Sequence, residues 1–237
     1  MNQGRNSGRE LSLCNGISPW LAPLAIVLTQ DIALPIWFRS ITVLGTGHLP
    51  SEGPVLLAPT HKSRWDALLL PYAAGRRVSG RDCRFMVTLD EMQGLQGWLL
   101  QRLGCFAVNQ NRPSLASLRY ALDLLAGGRP LVVFPEGRIR NESDPIRLQQ
   151  GLARLALMAA GRGVRVPVVP VGIAYGHPHP RLRDRAALCF GSSLSIEGQG
   201  RKAAVAFNQT LAAAMAEAEA IAWRALMPGA ERSQGPA

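Results

Sequence analysis

Pro54-Val55-Leu56-Leu57-Ala58-Pro59-Thr60-His61-Lys62-Ser63-Arg64-Trp65-Asp66 is an apolar run followed by a polar turn. The run predicts a buried β-strand ending at about Ala58. The chain then turns through Pro59 and enters a helix near Ser63, whose hydroxyl suits an N-cap because it accepts from an unpaired N–H of the first turn. His61 falls at the mouth of that helix and Asp66 within its first turn. On a regular helix five residues amount to about 500°, so the two side chains share a face only if His61 lies in the preceding turn. A neutral imidazole takes a proton from a hydroxyl near neutral pH, and a carboxylate on its other nitrogen fixes the tautomer. A second reading stands beside this one: Ser63-x-x-Asp66 also matches a capping box, in which Asp66 only caps and His61 is a loop histidine.

Outward from this stretch, strand and helix patterns alternate. Ile41–Leu44, Arg84–Thr88, Cys105–Val108, Leu131–Phe134 and Val166–Ala174 read as strands, and Ala187–Phe190 as a late edge strand. Helices are predicted over Leu95–Leu103, from the Ser114 cap to Gly127, over Gln149–Ala160 and over Ala203–Leu226. Short strands separated by helices imply an α/β fold: one domain, a mostly parallel mixed sheet with helices on its faces, and no internal repeat.

The N-terminal part differs. Leu11 to Gln30 carries no charge, and after Asp31 the apolar run resumes as far as Phe38. Pro19, Pro23 and Asp31 argue against a span, while Trp20 and Trp37 suit the headgroup level. The favoured reading is an apolar helical membrane-docking segment over 11–39; a buried core helix and a true span are the alternatives. Residues 1–10 and 228–237 read as disordered tails around a folded α/β domain at 40–227, and no signal peptide is expected.

The chain has 237 residues and a formal charge of +10, with Lys62 and Lys202 its only lysines. An arginine-borne excess suggests an anionic partner: nucleic acid, an acidic membrane or a phosphorylated substrate. Nothing in the pattern matches a nucleic-acid-binding fold, so nucleic acid is not expected. Cys14, Cys83, Cys105 and Cys189 are scattered without ligand spacing, which suggests reduced thiols and no metal site. His177-Pro178-His179-Pro180 reads as a surface loop, and His48 as a loop residue between strands.

A second motif, Phe134-Pro135-Glu136-Gly137-Arg138, follows an apolar strand. Ligands of open parallel sheets bind beyond the carboxyl ends of strands, where His61 and Glu136 are both expected. Gly137 lets backbone approach a ligand, Glu136 accepts from a hydroxyl, and Arg138 or Arg140 holds a phosphate.

In this order and spacing, His61 with Asp66 and Phe134 to Gly137 resemble the lysophosphatidic acid and glycerolipid acyltransferase family (PlsC-like), in its bacterial or plastid form. The resemblance covers roughly residues 40 to 195. It implies His61 and Asp66 as catalytic residues and Phe134, Pro135, Glu136, Gly137, Arg138 and Arg112 as substrate-binding residues. The implied reaction moves an acyl group from an acyl-carrier protein or coenzyme A thioester to the sn-2 hydroxyl of lysophosphatidic acid, giving phosphatidic acid. No cofactor or metal is implied, and the enzyme would work at the cytoplasmic face of a membrane. Glycerol 3-phosphate or a non-glycerol lyso-lipid is the alternative acceptor; a non-catalytic protein that binds anionic membranes is the non-enzyme reading. One departure stands out: in Gly104-Cys105-Phe106-Ala107-Val108-Asn109-Gln110-Asn111-Arg112 the family's phosphate-binding arginine is replaced by Gln110, leaving Arg112 nearby. Arg76, Arg77, Arg81 and Arg84 form a candidate docking surface for the donor. No Gly-x-Ser-x-Gly elbow occurs, so no acyl-enzyme is expected, and Ser63 is read as a cap.

Overall fold

The computed structural model describes residues 16–110, 112–141 and 144–227. The tails expected at 1–10 and 228–237, and residues 11–15 of the N-terminal segment with Cys14, lie outside them. Helix α1 is built from Leu21–Ile26, the π-helical turns Val27–Ala33, and Leu34–Trp37. Pro23 and Pro35 each remove a helical donor, and between them the ladder loosens, with Leu34 N–H reaching back to Thr29 O. Trp20, Leu24, Leu28, Ile32 and Ile36 recur every four residues and are exposed, while Leu34 turns into the core. Among the described residues, no helix is long and apolar enough to cross a membrane.

The helical segment ends two residues earlier than the sequence suggests, because Phe38 opens strand β1, Phe38–Leu44. Its ring is buried between Trp65 and Tyr175, with centroids at 5.4 and 5.8 Å. Then follow β2 (Val55–Pro59), α2 (Asp66–Ala74), the short α3 (Arg76–Ser79), β3 (Arg84–Thr88), α4 (Gly94–Arg102) and β4 (Cys105–Val108). The rest is α5 (Leu115–Ala126), β5 (Pro130–Val133), α6 (Gly151–Ala160), β6 (Val168–Tyr175), β7 (Asp184–Phe190) and α7 (Gly200–Ala225). Ser114 caps α5 by accepting from Ser117 N–H.

Among the described residues the strands make one sheet, ordered β1-β7-β6-β2-β5-β3-β4. Every neighbouring pair is parallel except β6 with β7. β7 is not an edge strand. It pairs with β1 on its outer side from Phe38↔Asp184 to Leu44↔Cys189, so β1 takes the edge position.

Alternation along β2 divides the core. Val55 and Leu57 face Leu69, Leu70 and Phe38 on the side of α1 and α2. Leu56 and Ala58 face Leu122, Leu152 and Leu211 on the side of α5, α6 and α7. A strand covered on both faces must be apolar throughout, as the Val55–Ala58 run is. The adjacent order β6-β2-β5 brings the carboxyl ends of three parallel strands together, and the polar residues gather there.

Candidate active site

Beyond β2, Thr60 N–H donates to Val171 O at 2.9 Å and Thr60 Oγ1 accepts from Ile173 N–H at 2.9 Å. These bonds lock the turn onto β6 and leave His61 outside the helix, which starts only at Asp66. Ser63 is therefore not the N-cap. Its hydroxyl accepts from Trp65 N–H at 3.3 Å, and Asp66 does the anchoring instead. Asp66 Oδ2 accepts from His61 Nδ1 at 2.9 Å, Lys62 N–H at 2.7 Å and Ser63 N–H at 2.9 Å. Asp66 Oδ1 accepts from the Tyr175 hydroxyl at the end of β6. The capping box read from Ser63 and Asp66 does not form, and Asp66 does more than cap: one carboxylate organises the turn and holds the imidazole.

Asp66 is fully buried, whereas the His61 side chain keeps 19% of its exposure. With Nδ1 donating to a carboxylate, neutral His61 carries its lone pair on Nε2, which has no hydrogen-bond partner among the described residues. Burial, and then the neighbouring Asp66 charge, push the Tyr175 phenol well above its ordinary value, so it stays a donor.

The loop after β5 closes the other side. The Phe134 ring lies 4.1 Å from the imidazole, centroid to centroid, at 30°. Pro135 is buried, and its carbonyl accepts from Gln149 N–H at 2.7 Å. Gly137 has φ of 72°, the left-handed region that glycine enters without strain, and Gln110 Nε2 donates to its carbonyl at 2.8 Å. A β-carbon on Gly137 would come within 3.1 Å of that Gln110 nitrogen.

Two sequence expectations change here, those for Glu136 and Arg140, while Arg112 keeps an open side chain. Glu136 is not an open acceptor for a hydroxyl: Oε1 accepts from His61 N–H at 2.9 Å, and Oε2 lies 2.8 Å from Arg140 Nε. It ties the two loops together, and burial raises its pKa even though His61 N–H and Arg140 pull it down. Arg140 is not a phosphate ligand, since it is buried and also pairs with Glu219 at 2.6 Å. Arg112 is not drawn into the Glu136–Gly137 turn. Gln110 reaches that turn from the end of β4, and the Arg112 side chain is exposed without a partner among the described residues. Arg138 is likewise exposed and unpartnered among them, which leaves its guanidinium open to an anion.

The four arginines read as a donor-docking surface are tied into the chain to different degrees. Arg76 pairs with Asp82 at 2.6 Å, and Arg77 Nη2 donates to Asp31 at 2.7 Å. Arg81 donates to the carbonyls of Pro50 and Gly128, and Arg84 is buried with its guanidinium on the Tyr120 hydroxyl. Arg84 is consumed by the fold, whereas Arg76 and Arg77 stay exposed in their surface pairs. His48 Nδ1 bonds Phe190 O at 2.8 Å and His177 Nδ1 bonds Asp184 at 3.0 Å. Burial pushes the Cys83 and Cys105 thiols up to about 12, so neither is a nucleophile. The sequence did not single out Lys62, Tyr175 or Glu219, although all three touch the network around His61.

An imidazole that is partly exposed, aligned by a buried carboxylate and set beside an aromatic wall, can deprotonate a hydroxyl brought to its Nε2. The model of the acyltransferase family matches residues 40–174. This chain belongs to the acyltransferase family. The matched span of this acyltransferase runs from β1 into β6, so it includes His61, Asp66 and Glu136 and leaves α7 outside. Over 151 residues the chain is 26% identical to the 1-acyl-sn-glycerol-3-phosphate acyltransferase of Streptococcus pneumoniae, covering 61% of this chain and 51% of that one. A shorter stretch of 74 residues is 36% identical to glycerol-3-phosphate O-acyltransferase 1 of Saccharomyces cerevisiae, covering 30% of this chain and 10% of that one. The chain thus spans about half of the first relative and a tenth of the second. In fold it is similar to the crystal structure of the 1-acyl-sn-glycerophosphate (LPA) acyltransferase PlsC from Thermotoga maritima. The TM-score is 0.60 at 16% identity, covering 82% of this chain and 76% of that one.

Proposed function

We propose that the protein transfers an acyl group from a phosphopantetheine-type thioester to the free sn-2 hydroxyl of lysophosphatidic acid. The observation that carries this reading is the His61 Nδ1–Asp66 bond of 2.9 Å, which leaves Nε2 without a partner among the described residues on a side chain that keeps 19% of its exposure. His61 Nε2 takes the proton as the hydroxyl oxygen attacks the thioester carbonyl, and Asp66 stabilises the imidazolium that forms. The tetrahedral intermediate collapses with cleavage of the carbon–sulfur bond, and the imidazolium returns its proton to the departing thiolate. Phe134 walls the imidazole, Gly137 gives the loop the left-handed turn that holds it beside the site, and Arg138 and Arg112 offer guanidinium groups to the acceptor phosphate. Glu136 acts through the loop that it holds. Both the carrier-protein and coenzyme A thioesters supply the same reacting bond.

The exposed apolar row on α1 supports docking at the membrane that holds the acceptor, with Trp20 at its outer end. A thioester donor of this kind supports a site that faces the cytoplasm. Replacing Trp20, Leu24 and Leu28 by serine should abolish cosedimentation with anionic phospholipid vesicles and leave turnover of a detergent-dispersed acceptor intact.

The test of the reaction is complementation of a strain lacking sn-2 acylation, with purified protein assayed in parallel. Acyl-coenzyme A and acyl-carrier protein serve as donors, against lysophosphatidic acid, glycerol 3-phosphate and a lyso-ornithine lipid. The expected result is thiol release that depends on lysophosphatidic acid and disappears in His61→Ala. Growth rescue by His61→Ala, or equal turnover of a lyso-lipid without phosphate, would overturn the reading.

A further inference from the structure

Helix α7 lies beyond the residues matched by the family, yet it reaches the site. Gly172 in β6 makes this possible. A β-carbon there would fall 2.0 Å from Glu219 N and 2.1 Å from the Ala218 carbonyl carbon, so the helix backbone rests directly on the strand. This contact puts the Glu219 carboxylate under both site loops. Its Oε1 accepts from Lys62 Nζ at 2.6 Å and its Oε2 from Arg140 at 2.6 Å. Trp223, one turn further along α7, presents its ring 5.6 Å from the same ammonium.

Each cation is one step from the imidazole. Lys62 follows His61 in the chain and donates its N–H to Asp66. Arg140 donates its N–H to His61 O at 2.7 Å and pairs with Glu136, which in turn accepts from His61 N–H. Lys62, Arg140, Glu136 and Glu219 are all buried, so two cations and two anions balance out of reach of water. None of the four is exposed enough to serve as an open substrate ligand. Removing the Glu219 charge leaves one buried cation unmatched, and the loop next to His61 must move to hydrate it.

We propose that Glu219 is a positioning residue for acyl transfer, its carboxylate clamping the His61 loop to the Phe134–Gly137 loop and holding the imidazole on Asp66. This rests on His61 as the general base. The test compares Glu219→Gln, Lys62→Met, the double variant, and Leu211→Val, a buried change on α7 away from the network. Glu219→Gln should lower kcat by about tenfold to a hundredfold with both KM values within about twofold, as a small misplacement of a reacting group does. The double variant, with its buried charge rebalanced, should recover Tm relative to Glu219→Gln but keep the lowered kcat, because the carboxylate that joins the two loops is gone. It replaces that variant if the latter does not fold, and wild-type kcat in it would overturn the proposal. Leu211→Val should lower Tm and leave kcat unchanged.

A second readout is independent of turnover: the His61 Nδ1 proton signal, identified by its loss in His61→Ala. It should vanish in Glu219→Gln and persist in Leu211→Val. Wild-type kcat in Glu219→Gln, a loss matched by Leu211→Val at equal Tm, or an undisturbed Nδ1 proton would each overturn the proposal. Absence of thiol release in the wild type, with the proton signal still responding to Glu219→Gln, would instead indict the reaction and spare the clamp.

Discussion

Replacing Asp66 by asparagine separates the two tasks of one carboxylate. Asparagine keeps the shape, and its single carbonyl oxygen can stand where Oδ2 stands, accepting from His61 Nδ1 and from the N–H groups of Lys62 and Ser63. Its amide nitrogen then meets the Tyr175 hydroxyl, which rotates from donor to acceptor. The turn survives. What is lost is the negative charge that, in the proposed reaction, faces the imidazolium formed during proton transfer. With charge centres about 4 Å apart and an effective dielectric of about 20, that attraction is about 4 kcal/mol. Asp66 is fully buried, so solvent screens little of it. At about 1.4 kcal/mol per factor of ten, kcat should fall by about a thousandfold. KM should stay within about twofold, because the buried carboxylate touches no substrate. The assay is steady-state release of thiol from an acyl-coenzyme A with lysophosphatidic acid as acceptor, alongside thermal unfolding to show that the fold persists. A variant with wild-type Tm and kcat within about tenfold of wild type would refute the role given to the charge.

Further consequences follow from the same contacts. Tyr175→Phe removes the hydroxyl that donates to Asp66 and should cost about 1.5–3 kcal/mol in urea unfolding, as expected for a lost bond to a buried charged group; a loss below about 0.5 kcal/mol would contradict that bond. Glu136, raised above the ordinary 4.5 chiefly by burial, binds its proton more tightly folded than unfolded. Its titration therefore favours the fold at pH below 4.5, and that contribution is lost as pH rises from 4.5 to the folded value. Glu136→Gln should flatten stability against pH in that window, as measured by unfolding at successive pH values. Changing Arg76, Arg77, Arg81 and Arg84 together to glutamine should lower Tm and leave KM for an acyl-carrier protein thioester within about twofold, because their partners lie within the fold. A raised KM at unchanged Tm would restore them as a docking surface.

The central strands were legible because burial on both faces leaves a continuous apolar run. Arg84–Thr88 and Cys105–Val108 were read to the residue, and β5 was displaced by one. The flanks were harder. β1 opens with Phe38-Arg39-Ser40 at the end of an apolar helix, and only the burial of Phe38 between two rings marks the change. β7 opens with Asp184-Arg185, a polar pair that conceals its first residues, and its internal place depends on pairing that no local pattern carries.

The site divides in the same way. His61 and Asp66 are five residues apart and announce themselves locally, whereas Tyr175 and Glu219 reach Asp66 and Lys62 across 109 and 157 residues. Gly172 was the one available signal, since a glycine inside a buried strand marks a close backbone approach. The arginines show most clearly what composition leaves open. A charge of +10 does not say which cations the fold pairs, and at least five of them, Arg76, Arg77, Arg81, Arg84 and Arg140, bond to other groups of the chain, the first two at the surface and the last two buried. Inside the site, however, Lys62 and Arg140 are cancelled by Glu136 and Glu219. With Asp66 buried beside them, these groups contribute no net positive charge, and the excess that would attract a phosphorylated lipid at the membrane is carried outside the network, by side chains such as the exposed Arg112 and Arg138.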